Sequence, residues 1–486
     1  MANTSIGPGM AARQDTAEAA HATRRLLQRH QPGQEPLRVL AASGQLGYGI
    51  PEASFHRGMA RAPHLIGCDM GSIDPGPYYL GSGEMAAPSA MVRRDLALVL
   101  GAALTAGVPL LIGSAGTAGA APHLRATVKL LCEIAQERGW SFRLATIASD
   151  VPVDLVQAAL QAGQLSPIGP MPLPSGDEVA ACTHIVAQCG TETFERALAT
   201  DPDVVLAGRA CDTAIFAALP LMLGYPAGLA LHMAKIIECT SLCCRPGGRD
   251  AMLATLDLQG FTLESLNPDL HATPASVAAH ALYEQADPFE VEEPGGTLGL
   301  REACYEALDD HRTRVWGATF AEREQATLKV EGAARVGARA VLLAGVADPT
   351  LLQQLPEVLA AVQDKVRALL PGLWTVHPHV YGQGAVRALP PAQRSVREAG
   401  LVLEFIAPTA EEARTVAGVF KQALLHHGYP GRVATAGNLA FAFTPSELDA
   451  HEAFRFVLYH VMSGVDPASV FRIQTLEVGG AAAPLH

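Results

Sequence analysis

Residues 109–139, PLLIGSAGTAGAAPHLRATVKLLCEIAQERG, decide the fold class. The opening PLLIG is a short apolar run of the kind that forms a strand covered on both faces. It breaks into Gly113, Ser114, Gly116, Thr117 and Gly119, and Pro122 then stands where a first helical turn tolerates proline. From there to 138 the apolar residues recur at i, i+3 and i+4, the spacing of a helix. A buried strand, a glycine turn and a helix make up half of a βαβ unit.

The same alternation extends on both sides. LRVLAAS (37–43), FRLATIA (142–148), HIVAQ (184–188) and DVVLAG (203–208) read as strands, while 89–106 and 153–162 carry helical spacing. Strands that alternate with helices predict right-handed crossovers and a mostly parallel, Rossmann-like α/β sheet. In such sheets ligands sit at the carboxyl ends of the strands. Residues 243–325 are interrupted by Pro-Gly, Asn-Pro and Glu-Pro-Gly-Gly and read as an irregular connection that completes the pocket. From 326 a second pattern begins. TLKVEG, RAVLLAGV, LWTVHPHVYG and GLVLEFIA read as strands, and 349–369 and 409–427 as helices, which predicts a smaller α+β domain with antiparallel pairing. The expected organisation is a polar arm with one helix in 1–36, an α/β domain in 37–325 and an α+β domain in 326–486. No fixed-period repeat is present.

Composition narrows the function classes. The 486 residues are 49% hydrophobic and 17% charged, enough for more than one core. A formal net charge of −13 argues against nucleic-acid binding, which needs clustered Lys and Arg. Nine cysteines without a framework spacing point to a reducing compartment. There is no signal-peptide pattern and no apolar run of the ~18 residues that a membrane span needs, so a soluble, cytoplasmic protein is expected.

Four segments could carry chemistry. Residues 43–83, SGQLGYGIPEASFHRGMARAPHLIGCDMGSIDPGPYYLGSG, crowd glycines and prolines around Ser43, Asp69, Ser72, Asp74, Tyr78 and Tyr79. Glycine permits unusual backbone and close approach, and proline stiffens, so this run reads as the wall of an active site. In the second segment, the turn Gly113, Ser114, Gly116, Thr117, Gly119 precedes a helix whose free N–H groups and dipole attract phosphate or carboxylate. His123 could face the bound group as acid or base. The bland alternative is a tight turn that binds nothing, with His123 on the surface. The spacing is neither a dinucleotide fingerprint nor a P-loop, so no cofactor is assigned.

The third segment is VVLAGRACDT (204–213), where Arg209 could clamp a carboxylate. Asp212 joins it at a strand's carboxyl end; either Asp212 or Thr213 could instead cap the next helix, and for Thr213 capping is the better explanation. The fourth is HMAKIIECTSLCC (232–244), where Lys235 and Glu238 form a charge pair on an apolar helix. The cysteines lack C-x-x-C pairing, so no metal is expected. Farther on, Asn438 in YPGRVATAGNLAF (429–441) could reach the pocket, with domain-seam packing an equal alternative. No Ser-His-Asp order, nucleophile elbow or H-E-x-x-H occurs.

Taken together, SGQLGYGIPEASF, DMGSIDPGPYYLGSG, IGSAGTAG, AGRACDTAIFAALPL with KIIEC, LYEQADPF with EPGG, and YPGRVATAGNLAF resemble the acyclic terpene utilisation AtuA family over about 37–475. The resemblance implies a setting in the catabolism of citronellol and geraniol through acyl-CoA intermediates. It supplies no catalytic residues. The expectation is a catabolic enzyme acting on a small carboxylic acid or acyl-CoA thioester by lyase, hydratase or isomerase proton transfer. Its candidate acids and bases are Asp69, Asp74, Tyr78, Tyr79, His123, Asp212 and Glu238. The partners expected are an anionic small molecule and further copies of the chain, with neither nucleic acid nor membrane. The competing expectation is a non-catalytic binding or assembly subunit of a catabolic complex.

Overall fold

The computed structural model describes residues 21–479 apart from 284, 391, 392 and 394. The helix expected in the arm is Ala22–Arg29, and the start of the expected segment lies outside the described residues.

Five strands run parallel in the spatial order Leu37–Ser43, Leu65–Asp69, Leu110–Gly113, Val204–Ala207, Phe142–Ala148. They are covered on both faces. Leu37, Val39 and Ala41 enter one core and Leu40 and Ala42 the other, the two-residue period of a strand. Helices Ser89–Ala106 and Ala121–Arg138 pack on the second face, and Asp212–Met222 and Ala227–Ile237 on the first. Gly67 shows why a strand this buried carries a glycine. A Cβ there would stand 2.3 Å from the Phe216 ring.

The sheet does not stop at these five strands. Met252–Leu256 pairs antiparallel with Leu37–Ser43 and is followed outward by Phe261–Ser265, Arg312–Trp316 and Cys304–Ala307. Arg472–Val478 closes the other edge, antiparallel to Phe142–Ala148. The ten-stranded sheet is therefore mixed, where a mostly parallel one was expected. Nor does it follow the doubly wound order, in which the chain leaves the first strand in both directions. Here the chain steps one way and Val204–Ala207 later fills the gap before Phe142–Ala148. The segment read as an irregular connection supplies most of the antiparallel flank. Its strands are four or five residues long, and at that length the turn residues between them dominate the pattern.

A second sheet is antiparallel, in the order Thr375–Tyr381, Ala399–Ala407, Leu328–Val346, Glu447–Met462, Leu165–Pro167. TLKVEG and RAVLLAGV prove to be one continuous strand of 19 residues. Helices Pro349–Leu369 and Ala410–Leu425 cover this sheet. Cys182–Ala187, expected in the parallel sheet, pairs antiparallel with Leu328–Val346 instead. That pairing brings the start of the long strand over the carboxyl ends of the parallel strands.

Candidate functional site

Three parallel strands end in polar residues that meet. Leu65–Asp69 ends in Asp69, Leu110–Gly113 runs into Ser114, and Val204–Ala207 leads through Gly208 to Arg209. All three side chains are buried. Arg209 donates to Ser114 Oγ at 3.0 Å and to the Ala210 carbonyl at 3.0 Å, and lies 3.5 Å from Asp212 Oδ1. Its principal partner comes from the long strand, where Glu331 accepts at 2.9 Å through Oε2 and 3.4 Å through Oε1. Gln188 donates to Glu331 at 3.0 Å, and the Lys329 ammonium is 3.7 Å away. Burial alone would lower the Arg209 pKa, but Glu331, Asp212 and Asp69 raise it above the ordinary value. Arg209 is a fixed positive charge.

Asp69 is the exception in this network. One oxygen accepts from the Gly71 N–H at 2.9 Å, while the other, Oδ1, is buried without a hydrogen-bond partner. Burial, reinforced by the negative charge of Asp212, pushes the Asp69 carboxyl well above the usual carboxylate range, against the opposing pull of Arg209, the Gly71 amide and the Ser114 hydroxyl. A neutral carboxyl with an unengaged oxygen can carry a proton.

A second group adjoins the first through Asp212. Lys235 and Glu238, on the last turn of Ala227–Ile237 and just beyond it, pair at 2.7 Å. Glu293 accepts from Thr213 Oγ1 at 2.8 Å and from Cys211 Sγ at 3.4 Å. Burial moves Glu238 up to about 8 despite the opposing Lys235, and Glu293 up to about 7. Asp212 is raised by burial and pulled back by Arg209, Lys235 and Lys329. Its side chain keeps 37% of its exposure, so it faces solvent or a ligand more than its neighbours do. Five carboxyls (Asp69, Asp212, Glu238, Glu293, Glu331) thus share the space of three cations (Arg209, Lys235, Lys329). Burial of so many acids is compatible with folding only if some are protonated or paired.

Of the residues singled out in the sequence, Asp69, Ser114, Arg209, Asp212, Thr213 and Glu238 come together. Thr213 is spent on Glu293, and Cys211 rather than Thr213 stands at the helix N-cap. The others are placed differently. Asp74 is exposed and its N–H bonds the Ser72 hydroxyl. Tyr78 donates to Glu84 and packs edge-on against Tyr79 and Phe454. Ser43 accepts from the Gln45 N–H. Asn438 donates to the Leu424 and His427 carbonyls, a local tie beneath its own loop. His123 is wholly buried. Its Nδ1 accepts from the Ala120 N–H, so Nε2 carries the proton and donates to the Glu84 carbonyl.

The glycine turn also has inward-directed bonds. The amides of Ala115, Thr117, Gly119, Ala120 and Ala121 all donate within the protein, the last to the Asp150 carboxylate at 3.0 Å. Asp150 therefore takes the place at the helix start that the sequence suggested for an external anion. The turn serves close approach instead. Gly119, at φ +70°, lies against the Arg209 backbone, where a Cβ would be 2.1 Å from its nitrogen. Gly113 and Gly116 are similarly confined by Ile215 and His123. Thr117 reaches only the Met70 carbonyl, at 3.5 Å.

Sequence reasoning missed Glu331, Glu293, Gln188 and Lys329. A lone acid in the apolar run LKVEGAARV was the available signal for Glu331, since buried strands rarely carry unpaired charge. It also missed Asp95, which is fully buried and holds the 43–51 loop. Its carboxylate accepts from the amides of Gly47 (3.0 Å), Gly49 (2.9 Å) and Ile50 (3.1 Å).

Among the described residues, one group has three metal-ligand atoms within 4.8 Å of one another, His30, Glu35 and His64, away from the acid cluster. An Arg38 guanidinium nitrogen stands 3.0 Å from His64 Nε2, so a cation already sits beside that nitrogen.

The sequence profile described as acyclic terpene utilisation family protein AtuA matches residues 91–249 and 270–451, most of the chain. The chain belongs to this family. Membership in the AtuA family connects the protein with acyclic terpene utilisation. The matched spans include Ser114, Arg209, Asp212, Glu238, Glu293 and Glu331, whereas Asp69 precedes them. No curated protein and no solved structure matches the chain. No helix among the described residues is long and apolar enough to cross a membrane.

Proposed function

We propose that this AtuA-family chain is a proton-transfer enzyme of acyclic terpene breakdown. Its substrate would be a small carboxylic acid or its acyl thioester, and its chemistry of the lyase, hydratase or isomerase type. The observation that carries the reading is Asp69, a buried carboxyl with one unengaged oxygen, coupled to a second carboxyl, Asp212, set between cations. Both carboxyls are raised by burial, Asp69 well above the usual range and Asp212 with three cations opposing the rise, so one can hold a proton while the other accepts one. In this scheme Asp212 takes the proton from the carbon next to the carbonyl. The Lys235 ammonium stabilises the negative charge that develops on the carbonyl oxygen, and Arg209, whose donors are already engaged, adds only its fixed positive field. Asp69 gives its proton to the product side.

The test follows the proton. The full chain is incubated in heavy water with citronellate, geranylate and their coenzyme A thioesters, and deuterium uptake next to the carbonyl is read by mass spectrometry. Wild type should exchange at least one of these, Asp69→Asn should lose about 10²-fold or more, and the exposed Asp74→Asn should match wild type. Equal exchange in Asp69→Asn and wild type would overturn the assignment. A second reading, a non-catalytic binding or assembly subunit, draws on the saturation of Arg209 by Glu331, Ser114 and Ala210. Binding of the same compounds without exchange by wild type would favour it.

A further inference from the structure

A cavity of about 390 Å³ opens between the 43–51 loop and the facing residues Cys239, Thr240 and Leu242. It is separate from the acid cluster. None of the five clustered carboxyls lines it, and main chain forms the partition. On that side the Leu46 N–H donates to the Asp69 carbonyl at 2.8 Å, and Gly44 packs against the Glu238 carbonyl oxygen, where a Cβ would stand 2.5 Å away. A ligand held here meets a different set of groups.

The wall is preformed. The Asp95 carboxylate accepts from the amides of Gly47, Gly49 and Ile50, and Gly47 and Gly49 hold φ values of +107° and +95° that suit glycine. Those three N–H groups are therefore closed to an external anion. Across the cavity Thr240 is buried at φ +53°, a conformation a β-branched residue keeps only when its surroundings enforce it.

The lining changes with depth. Ala42 and Ile50 are buried at the inner end, whereas Tyr48 and Leu242, 43% and 48% exposed, stand at the mouth. Asp250, the one acid in the lining, already accepts from the Ala251 N–H and from Asn267 Nδ2, both at 2.8 Å. Arg249 stands at the mouth, exposed, with its guanidinium over the Tyr48 ring at 5.7 Å and a hydrogen bond to Gln45 at 2.8 Å. Among the described residues it has no carboxylate partner. A guanidinium with donors to spare, at the mouth of a cavity lined largely by carbon, is the complement of a carboxylate on an apolar chain.

We infer that this cavity binds a medium-chain carboxylic acid, with the carboxylate on Arg249 at the mouth and the chain running inward past Tyr48 and Leu242 to Ala42 and Ile50. At the ~30 Å³ that a water occupies in the liquid, 390 Å³ holds about a dozen non-hydrogen atoms, a carboxylate with a chain of about ten carbons. The inference does not rest on the proton-transfer reading, because the bound carboxylate lies at the mouth, across the partition from Asp69 and Asp212.

Isothermal titration of the full chain with straight-chain carboxylates from butanoate to decanoate tests the site without requiring turnover. Affinity should rise roughly fourfold per added methylene, the ratio that burial of a CH₂ implies, and level off near decanoate. Arg249→Gln should weaken octanoate about tenfold or more and octanamide less than twofold, with Arg249→Lys in between. Leu242→Gln should weaken decanoate at least fivefold and butanoate less than twofold. Both side chains are exposed, so the melting temperatures should not change. Asp69→Asn should bind octanoate as wild type does, whatever its effect on deuterium exchange. A series flat in chain length, or octanoate binding untouched by Arg249→Gln, overturns the inference. So does octanoate binding lost in Asp69→Asn or Asp212→Asn, which would put the acid at the cluster instead.

Discussion

Removing the carboxylate of Glu331 would leave the Arg209 guanidinium buried beside Ser114 with its main counter-charge gone. Breaking a buried ion pair from one side typically costs about 3–5 kcal/mol. Glu331→Ala should therefore lower the urea unfolding free energy by about that much, and Glu331→Gln by less, because the amide oxygen still accepts. Glu293 gives a pH signature. Its folded carboxyl holds a proton up to about 7, whereas in the unfolded chain it ionises near 4.5. Between those values the folded state binds more protons, so stability falls as pH rises. The urea midpoint should decline from pH 5 to 7.5, and Glu293→Gln should flatten that decline; an unchanged slope would count against a protonated Glu293. At this scale the sequence was readable where a charge ends an apolar run, as at Asp69, Arg209, Asp212 and Glu238. It misled where polar residues crowd a loop, since Asp74, Tyr78 and Asn438 are tied up locally. Nothing in a single sequence says that Glu331 reaches Arg209 across 122 residues.

At the level of elements, two connections hold the site in shape. Gly119 combines φ +70° with contact against the Arg209 backbone, so Gly119→Ala must either strain the turn or displace Arg209. It should cost about 2 kcal/mol or more in thermal unfolding, where an open glycine of positive φ costs about 1; Gly139, with nothing near its Cβ position, is the control. Asp95→Ala would strip three loop amides of their acceptor. Hydrogen exchange at Gly47, Gly49 and Ile50 should accelerate at least tenfold, while the centre of Leu65–Asp69 stays protected. Long periodic elements were legible with close boundaries, Ser89–Ala106 and Phe142–Ala148 among them. The strands between 252 and 316 were not, because five-residue strands such as Phe261–Ser265 give too few alternations to outweigh the turns around them.

Over the whole molecule, the two sheets are joined by pairings that ignore chain order. Arg472–Val478 seals the edge of the sheet that begins at Leu37, and Cys182–Ala187 lies against Leu328–Val346. A chain ending at residue 325 would leave Phe142–Ala148, Leu165–Pro167 and Cys182–Ala187 without their partner strands and Arg209 without Glu331. Such a fragment should lack a cooperative thermal transition and should aggregate, as exposed edges do; a sharp transition in calorimetry would show that the first 325 residues stand alone. The mixture of parallel and antiparallel pairing was hidden in the sequence for the same reason, because each pairing joins segments far apart in the chain.

The Arg209–Glu331 pair also has a consequence in time. At synthesis rates of about 5–20 residues per second, Glu331 emerges roughly 6–24 s after Arg209, their separation being 122 residues. For that interval the nascent chain carries the strand ends and most of the acids without the charge that organises them. Until then Arg209 lacks its main counter-charge, so the buried polar cluster at the strand ends can close only once Leu328–Val346 has been made.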